Sequence, residues 1–172
     1  MGDNDGISAS VGSSDGASSP PASSAADRSL RVDFYVIEGT AATARLKVAC
    51  RLAEKAYLAS QRALIWHTER AELEALDELL WTFADGSFVP HDWLTSNAAE
   101  EAPVLLSAGT PPTAEFDFVV NLAAEPPPFL PLTRRVAEII DGDEGRRRAG
   151  RARFKTYREL GVEPGTHPLR AE

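Results

Sequence analysis

The sequence predicts an α/β domain with a mainly parallel central sheet, built in three layers with the sheet covered on both faces. Two observations carry that expectation. Strand-like and helix-like segments alternate along the chain, which calls for crossover connections and hence parallel pairing. Several strand-like segments are short continuous apolar runs, of the kind that strands buried on both faces show. The length of 172 residues suits one domain with a sizeable core.

Residues 1–29 contain nine Ser, four Gly and five Ala, with only isolated aliphatics such as Ile7 and Val11. That apolar surface is too small to offset ~1–2 kcal/mol of backbone entropy per ordered residue, so the stretch is expected to be a disordered tail. The folded domain is then expected over residues 30–165, and residues 166–172 are expected to be a frayed end.

Residues 31–37 are rich in β-branched and aromatic side chains and are closed by Gly39, which predicts the first strand. A helix follows over about 41–60. Its Leu46, Ala49, Cys50, Ala53, Ala56 and Tyr57 recur at three- and four-residue spacing and so share one face. Residues 63–66, Ala-Leu-Ile-Trp, read as a buried strand. Thr68 is placed to cap the next helix, in which Leu73, Leu76, Leu79, Leu80 and Phe83 form a stripe while Glu69, Glu72, Glu74 and Glu78 stay in water. Asp85-Gly86 turns the chain. Residues 104–106 and 116–122 read as two further strands, and the prolines around them mark loops. Residues 136–140 are ambiguous by period, but β-branching and the following Asp141-Gly142 favour a strand. Residues 143–160 are helical in pattern and end at Gly161 as a cap.

The chain carries 18 Lys and Arg against 26 Asp and Glu, a net charge of −8. An acidic total argues against general polyanion binding, which depends on cations neutralising phosphates. The single cysteine, Cys50, excludes an internal disulfide and fits either a reducing cytoplasm or a protein that needs no bridges. No apolar run approaches the ~20 residues that span a bilayer, so no membrane role is expected. The start, Met1-Gly2-Asp3-Asn4-Asp5, is acidic where a secretory signal is basic.

Enzyme chemistry finds little support. The turn after the first strand, Glu38-Gly39-Thr40-Ala41-Ala42, holds one glycine and no Lys-Ser/Thr pair, so neither a dinucleotide fingerprint nor a phosphate loop is present. His67, His91 and His167 lie far apart and show no zinc-ligand spacing, so neither metal nor cofactor is expected. His67 does follow a strand, at the edge where open α/β sheets bind ligands. Cys50 reads as core, and the carboxylates Glu72, Glu74, Asp77 and Glu78 as the wet side of a helix.

Two segments stand out. Residues 144–158 hold seven bases against one acid, a local charge of +6 that leaves −14 for the remainder. Arg147, Arg151, Lys155 and Arg158 are spaced at four, four and three and share a face with Phe154 beside them. Cations beside an aromatic edge suit an acidic peptide ending in a hydrophobic residue. A solvated face completing i,i+4 pairs fits the same spacing. The second segment is the turn over 81–93, where Trp81, Phe83, Phe88 and Trp93 cluster around Gly86 and Pro90. Such a cluster marks either a protein interface or local core packing.

At these two segments the sequence resembles the chi subunit family of the bacterial DNA polymerase III holoenzyme. The matching residues are Leu76-Asp77-Glu78, Leu80-Trp81, Ser87-Phe88-Val89-Pro90-His91, Ala102-Pro103-Val104, the strand from Phe118 to Leu122, and Arg151-Ala152-Arg153-Phe154-Lys155-Thr156-Tyr157-Arg158. The initial Asp33-Phe34-Tyr35 fits as well, and the likeness spans about 31–167.

The resemblance implies a Rossmann-like, non-enzymatic adaptor that links the clamp loader to single-stranded DNA-binding protein by gripping that protein's acidic, Phe-terminated tail. It implies that Arg151 and Lys155 hold the tail's carboxylates and that Phe154 and Ile140 line a hydrophobic notch, with Arg147 and Arg158 nearby. Phe154 replaces a frequent Tyr of the family, which removes a hydroxyl and keeps the apolar wall. Trp81, Phe88 and Pro90 correspond to the face that meets the psi subunit or an accessory helicase. Contact with nucleic acid would be mainly indirect, and the place of work the cytoplasm, at the replisome. The Arg146-Arg147-Arg148 run and the N-terminal segment depart from the family pattern. Two other readings stay open at this point: direct single-strand binding by the Arg-rich helix, and a degenerate nucleotide site on the α/β scaffold.

Overall fold

The computed structural model describes residues 29–94 and 102–170, so all of the tail expected over residues 1–29 except Ser29 lies outside the described residues. Among the described residues, seven strands form one sheet in the order β3-β4-β2-β5-β6-β1-β7, and every pairing is parallel. The strands are β1 (Arg31–Ile37), β2 (Ala63–His67), β3 (His91–Trp93), β4 (Val104–Ala108), β5 (Phe118–Asn121), β6 (Arg135–Ile140) and β7 (Gly165–Leu169). The described connections include the helices α1 (Ala42–Leu58), α2 (Arg70–Thr82) and α3 (Glu144–Glu159). A short 3-10 turn, Leu130–Leu132, precedes β6.

Alternation along the strands sorts the core into two faces. Ile65, Leu106, Val120, Ala137 and Ile139 point toward α1 and α2, where they meet Ala49, Cys50, Ala53, Leu73, Leu76 and Leu80. On the opposite face, Val32, Phe34, Val136 and Ile140 pack against Tyr157 and Phe154 of α3. Beside α3, Leu64, Trp66, Leu105 and Val119 are covered by Phe116, Ala123 and Phe129 from the proline-rich connections. Cys50 is fully buried, and desolvation pushes its thiol up to about 12, so it behaves as a small core residue.

The structure corrects three expectations. Thr68 does not cap α2: the N-cap is Glu69, which makes no side-chain capping bond, and its N–H donates instead to His67 Nδ1 at 2.8 Å. His91–Trp93, read as part of a turn, is an edge strand beside β4. The end expected to fray supplies β7, which pairs with β1 from Gly165 to Leu169. Its polar sequence hides the strand, because an edge strand has one solvated side and tolerates Pro168.

What holds β7 is Asp33, buried on β1. His167 Nε2 lies 2.8 Å from Asp33 Oδ1, and Arg135 Nε donates to Oδ2 at 2.9 Å. The His167 ring also stacks on Tyr35 with centroids 5.1 Å apart. Burial alone would raise the Asp33 carboxyl, but the bonds from His167 and Arg135 and the charge of Arg31 outweigh it and hold it below its ordinary 3.8. A depressed folded pKa contributes stability above the unfolded value, and that contribution is lost as pH falls through the folded value. Asp33→Asn should therefore lower stability at neutral pH and show a shallower loss than wild type on acidification below about pH 4, as urea titrations at stepped pH would read. Parallel acid limbs would refute this account of the β1–β7 contact.

A second backbone contact sets the start of α3. The Gly142 N–H donates to the Gly39 carbonyl at 2.7 Å, and a Cβ on Gly142 would sit 2.7 Å from that oxygen. Because the obstacle is backbone, Gly142→Ala should cost about 1–3 kcal/mol, measured by chemical denaturation, and an unchanged midpoint would show that the two loops separate freely.

Candidate functional site: the outer face of α3

The segment from Asp141 to Gly161 builds a firmly anchored helix. Asp143 is the N-cap and accepts from the Arg146 N–H at 2.8 Å, while Asp141 takes the Arg146 guanidinium in a two-pronged pair at 2.8 and 2.7 Å. Burial would raise the Asp141 carboxyl, yet the bonds from Arg146 and the Asp143 amide hold it below its usual range. At the other end Gly161 adopts φ +87°, and the Val162 N–H returns to the Tyr157 carbonyl at 3.0 Å, closing the helix.

The inner face of α3 carries a buried polar network. Glu138, with no exposed surface, sits in the middle of β6. It accepts from Arg153 Nε at 2.8 Å, from the Tyr157 hydroxyl at 2.6 Å and from Asn121 Nδ2 at 2.9 Å. Arg153 NH1 donates onward to the Ala124 carbonyl at 2.9 Å. Burial pushes the Glu138 carboxyl up against the opposing pull of Arg153, and burial beside that carboxylate pushes the Tyr157 hydroxyl up as well. Two of the seven bases are therefore committed to carboxylates of the domain, Arg153 in the interior and the partly exposed Arg146 at the start of the helix.

The remaining five, Arg147, Arg148, Arg151, Lys155 and Arg158, belong to the outer side of the helix. A groove of about 400 Å³ runs along it, lined by Arg151, Phe154, Lys155, Arg158 and Glu159. Phe154 stands half-buried at its floor, its ring 5.3 Å from Phe34 beneath. Lys155 is loosely paired with Glu159 at 4.0 Å and Arg158 with Glu163 at 3.6 Å, both across exposed side chains. Pairs of that kind contribute about 0–1 kcal/mol and exchange easily for another anion.

The structure thus brings Arg151, Phe154, Lys155 and Arg158 together. Ile140 is set apart from the groove. It is buried under the helix, where a Cβ on Gly150 would meet its Cδ1 at 2.2 Å, and it supports the cluster on which Phe154 rests. Arg147 lies nearer the start of the helix, with Nε 3.4 Å from the Asp141 carbonyl.

The aromatic turn divides between core and surface. Val89 is buried and Phe83 packs against the core, whereas Trp81 and Phe88 remain 54% and 61% exposed. Their rings lie 5.5 Å apart, and Trp81 also packs against His91 at 4.7 Å. His91 is fixed by Asp77 at 2.7 Å and the Val89 carbonyl at 2.7 Å, and Pro90 is half-buried between Val89 and His91. Arg70 covers the Trp93 ring at 4.3 Å.

A third feature, which the sequence reading did not anticipate, is a cleft of about 340 Å³ at the carboxyl edge of the sheet, reached by Arg45, His67, Glu72 and Arg146. Arg45 is buried, donates to the Leu122 carbonyl and lies 3.7 Å from Glu72. Burial and the nearby Arg45 charge push the His67 imidazole below its ordinary range. Each arginine here already has an acceptor, so the cleft offers little net positive charge to a phosphate. Part of the signal for the inner network was in the sequence: Gly150, Arg153 and Tyr157 share one helical face, but their spacing does not name the acid they meet. Glu138, inside an apolar strand, was that acid. Among the described residues, no group of three or more His, Cys, Asp or Glu could hold a metal ion, and no helix is long and apolar enough to cross a membrane.

Fold and site together define a Rossmann-like α/β domain that presents a cationic, aromatic-floored groove on its C-terminal helix. Solved structures agree on the fold: T4 UvsW matches with a TM-score of 0.60 at 10% identity, over 83% of this chain and 42% of that one. The C-terminal domain of the DEAD-box protein Dbp5 matches at 0.53 and 14% identity, over 83% of this chain and 92% of that one. The chain belongs to the family described as DNA polymerase III chi subunit, HolC, whose model matches residues 30–165. It is 42% identical over 139 residues to the DNA polymerase III subunit chi of Pseudomonas aeruginosa, covering 81% of this chain and 96% of that one. The chi subunits of Haemophilus influenzae and Escherichia coli are 25% and 24% identical, over 74% and 76% of this chain and 90% and 88% of theirs. Its place is among the proteins of DNA replication, as a chi subunit and not as the polymerase's catalytic chain.

Proposed function

We propose that this protein is an adaptor that ties the clamp loader of the polymerase holoenzyme to single-stranded DNA-binding protein, by gripping the acidic C-terminal tail of the latter on the outer face of α3. The observation that carries the reading is the convergence of Arg151, Lys155 and Arg158 around the half-buried ring of Phe154 in one open groove. Cations on the rim suit the tail's carboxylates, and the Phe154 ring suits its terminal aromatic. The acidic remainder of the chain, −14 outside residues 144–158, repels the DNA backbone and favours a protein ligand over direct strand binding. Trp81 and Phe88, exposed away from the core, offer a second face for psi or an accessory helicase. The protein would work in the cytoplasm, at the replisome.

The deciding experiment is a fluorescence titration with a labelled acidic peptide ending in Phe. A charge-assisted contact contributes about 1.5–3 kcal/mol, so Arg151→Ala should weaken binding at least tenfold, and more at low salt where screening is weak. Unchanged affinity would remove α3 as the peptide site.

A further inference from the structure

Resting on the reading of the α3 groove as an acidic-peptide site, we propose that the chain carries its own competitor for that groove: residues 1–28 dock on the outer face of α3 and must be displaced by a partner's acidic tail. Charge is the first argument. Residues 1–28 contain Asp3, Asp5, Asp15 and Asp27 against Arg28 alone, a net −3, facing a helix side that bears five cations. Among the described residues, Arg148 and Arg151 have no carboxylate within ion-pair distance. Sequence order is the second. Asp3 and Asp5 lead to Ile7, acids followed by an apolar side chain, which is the order a groove with a cationic rim and an aromatic floor accepts.

Position is the third. The chain enters the described fold beside Leu30, which packs on the cluster of Val32, Phe34, Val136, Ile140 and Tyr157 that also supports Phe154. The segment therefore starts on the face of the sheet that α3 covers. The 23 steps from Leu30 back to Ile7 give a Gly/Ser-rich chain an r.m.s. reach of roughly 26 Å, and α3 is about 24 Å long. Tethering of this kind supplies effective concentrations in the millimolar range, so contacts too weak for a free peptide suffice within the chain.

The test uses the full chain, wild type and with Asp3→Asn, Asp5→Asn, Asp15→Asn and Ile7→Ser combined, all outside the folded domain. Backbone amide NMR shifts of Arg151 to Arg158 are expected to differ between the two, independently of protein concentration. The labelled acidic peptide ending in Phe is expected to bind the substituted chain at least threefold more tightly at low salt, with the difference gone at high salt. Identical α3 shifts would overturn the proposal even if the peptide binds, and shifts without an affinity change would place the segment elsewhere than the groove. Shifts that grow with concentration would assign the segment to a second copy and likewise overturn it. Failure of the peptide to bind either chain, with Arg151→Ala equally silent, would instead strike the underlying reading of the site.

Discussion

Arg153→Ala is expected to destabilise the domain by about 3–5 kcal/mol, the cost of leaving a buried carboxylate without its counter-charge. Arg153 is only 5% exposed and donates to Glu138, which has no exposed surface. Asn121 and Tyr157 would remain as neutral donors to an uncompensated charge. For a domain of this size that loss lowers the melting temperature by roughly 6–20 °C. The deficit should also depend on pH. Glu138 already holds its proton above its ordinary 4.5 in the folded chain, and without Arg153 it holds it more strongly. A raised folded pKa means that the folded state binds the extra proton, so stability falls as pH rises above the unfolded value. Arg153→Ala should thus lose more at pH 8 than at pH 5 in urea titrations. Combining it with Glu138→Gln should restore part of the loss and abolish that slope. A deficit below about 1 kcal/mol, or one independent of pH, would show that water reaches Glu138 and that the pair is not sealed.

Reversing the charge of both groove cations, Arg151→Glu with Lys155→Glu, is expected to weaken the acidic peptide by more than a hundredfold while leaving the fold nearly untouched. Two charge-assisted contacts of about 1.5–3 kcal/mol each are lost, and repulsion replaces them. Lys155 is 81% exposed, and its pairing with Glu159 at 4.0 Å is a surface contact. New like-charge neighbours at i,i+4 cost the helix only a few tenths of a kcal/mol per pair. The measurement is a peptide titration beside a thermal melt. Retained binding with an intact melt would place the ligand off α3, and a collapsed melt would show that these side chains support the helix.

The alternation of apolar runs and helical periods made the β1–α1–β2–α2 succession legible, because parallel strands buried on both faces leave continuous apolar sequence. The ambiguous residues around Val136 resolve as β6 because their alternate side chains serve two different cores, Ala137 and Ile139 on one face, Val136 and Ile140 on the other. β7 and β3 were not legible, since both are largely exposed edges in which only Trp93 and Leu169 pack against the core, too few to show an alternation. Of the proposed binding face, Arg151, Phe154, Lys155 and Arg158 could be grouped from spacing alone, because neighbours at three and four residues share a helix side wherever that helix lies.

The sequence by itself determined the helices, the central strands and which cations stand in a row, because these follow from local periodicity and composition. Only the tertiary structure decided that Arg153 turns inward to Glu138, that Arg146 is tied to Asp141, that Ile140 supports the groove from beneath, and that the last strand is pinned to Asp33. Those outcomes depend on what the fold brings to each side chain: a carboxylate on β6 beneath α3, the helix over Ile140, and β1 beside the last strand. Helical period cannot specify that, because it fixes angles about one axis and not what lies across the interface.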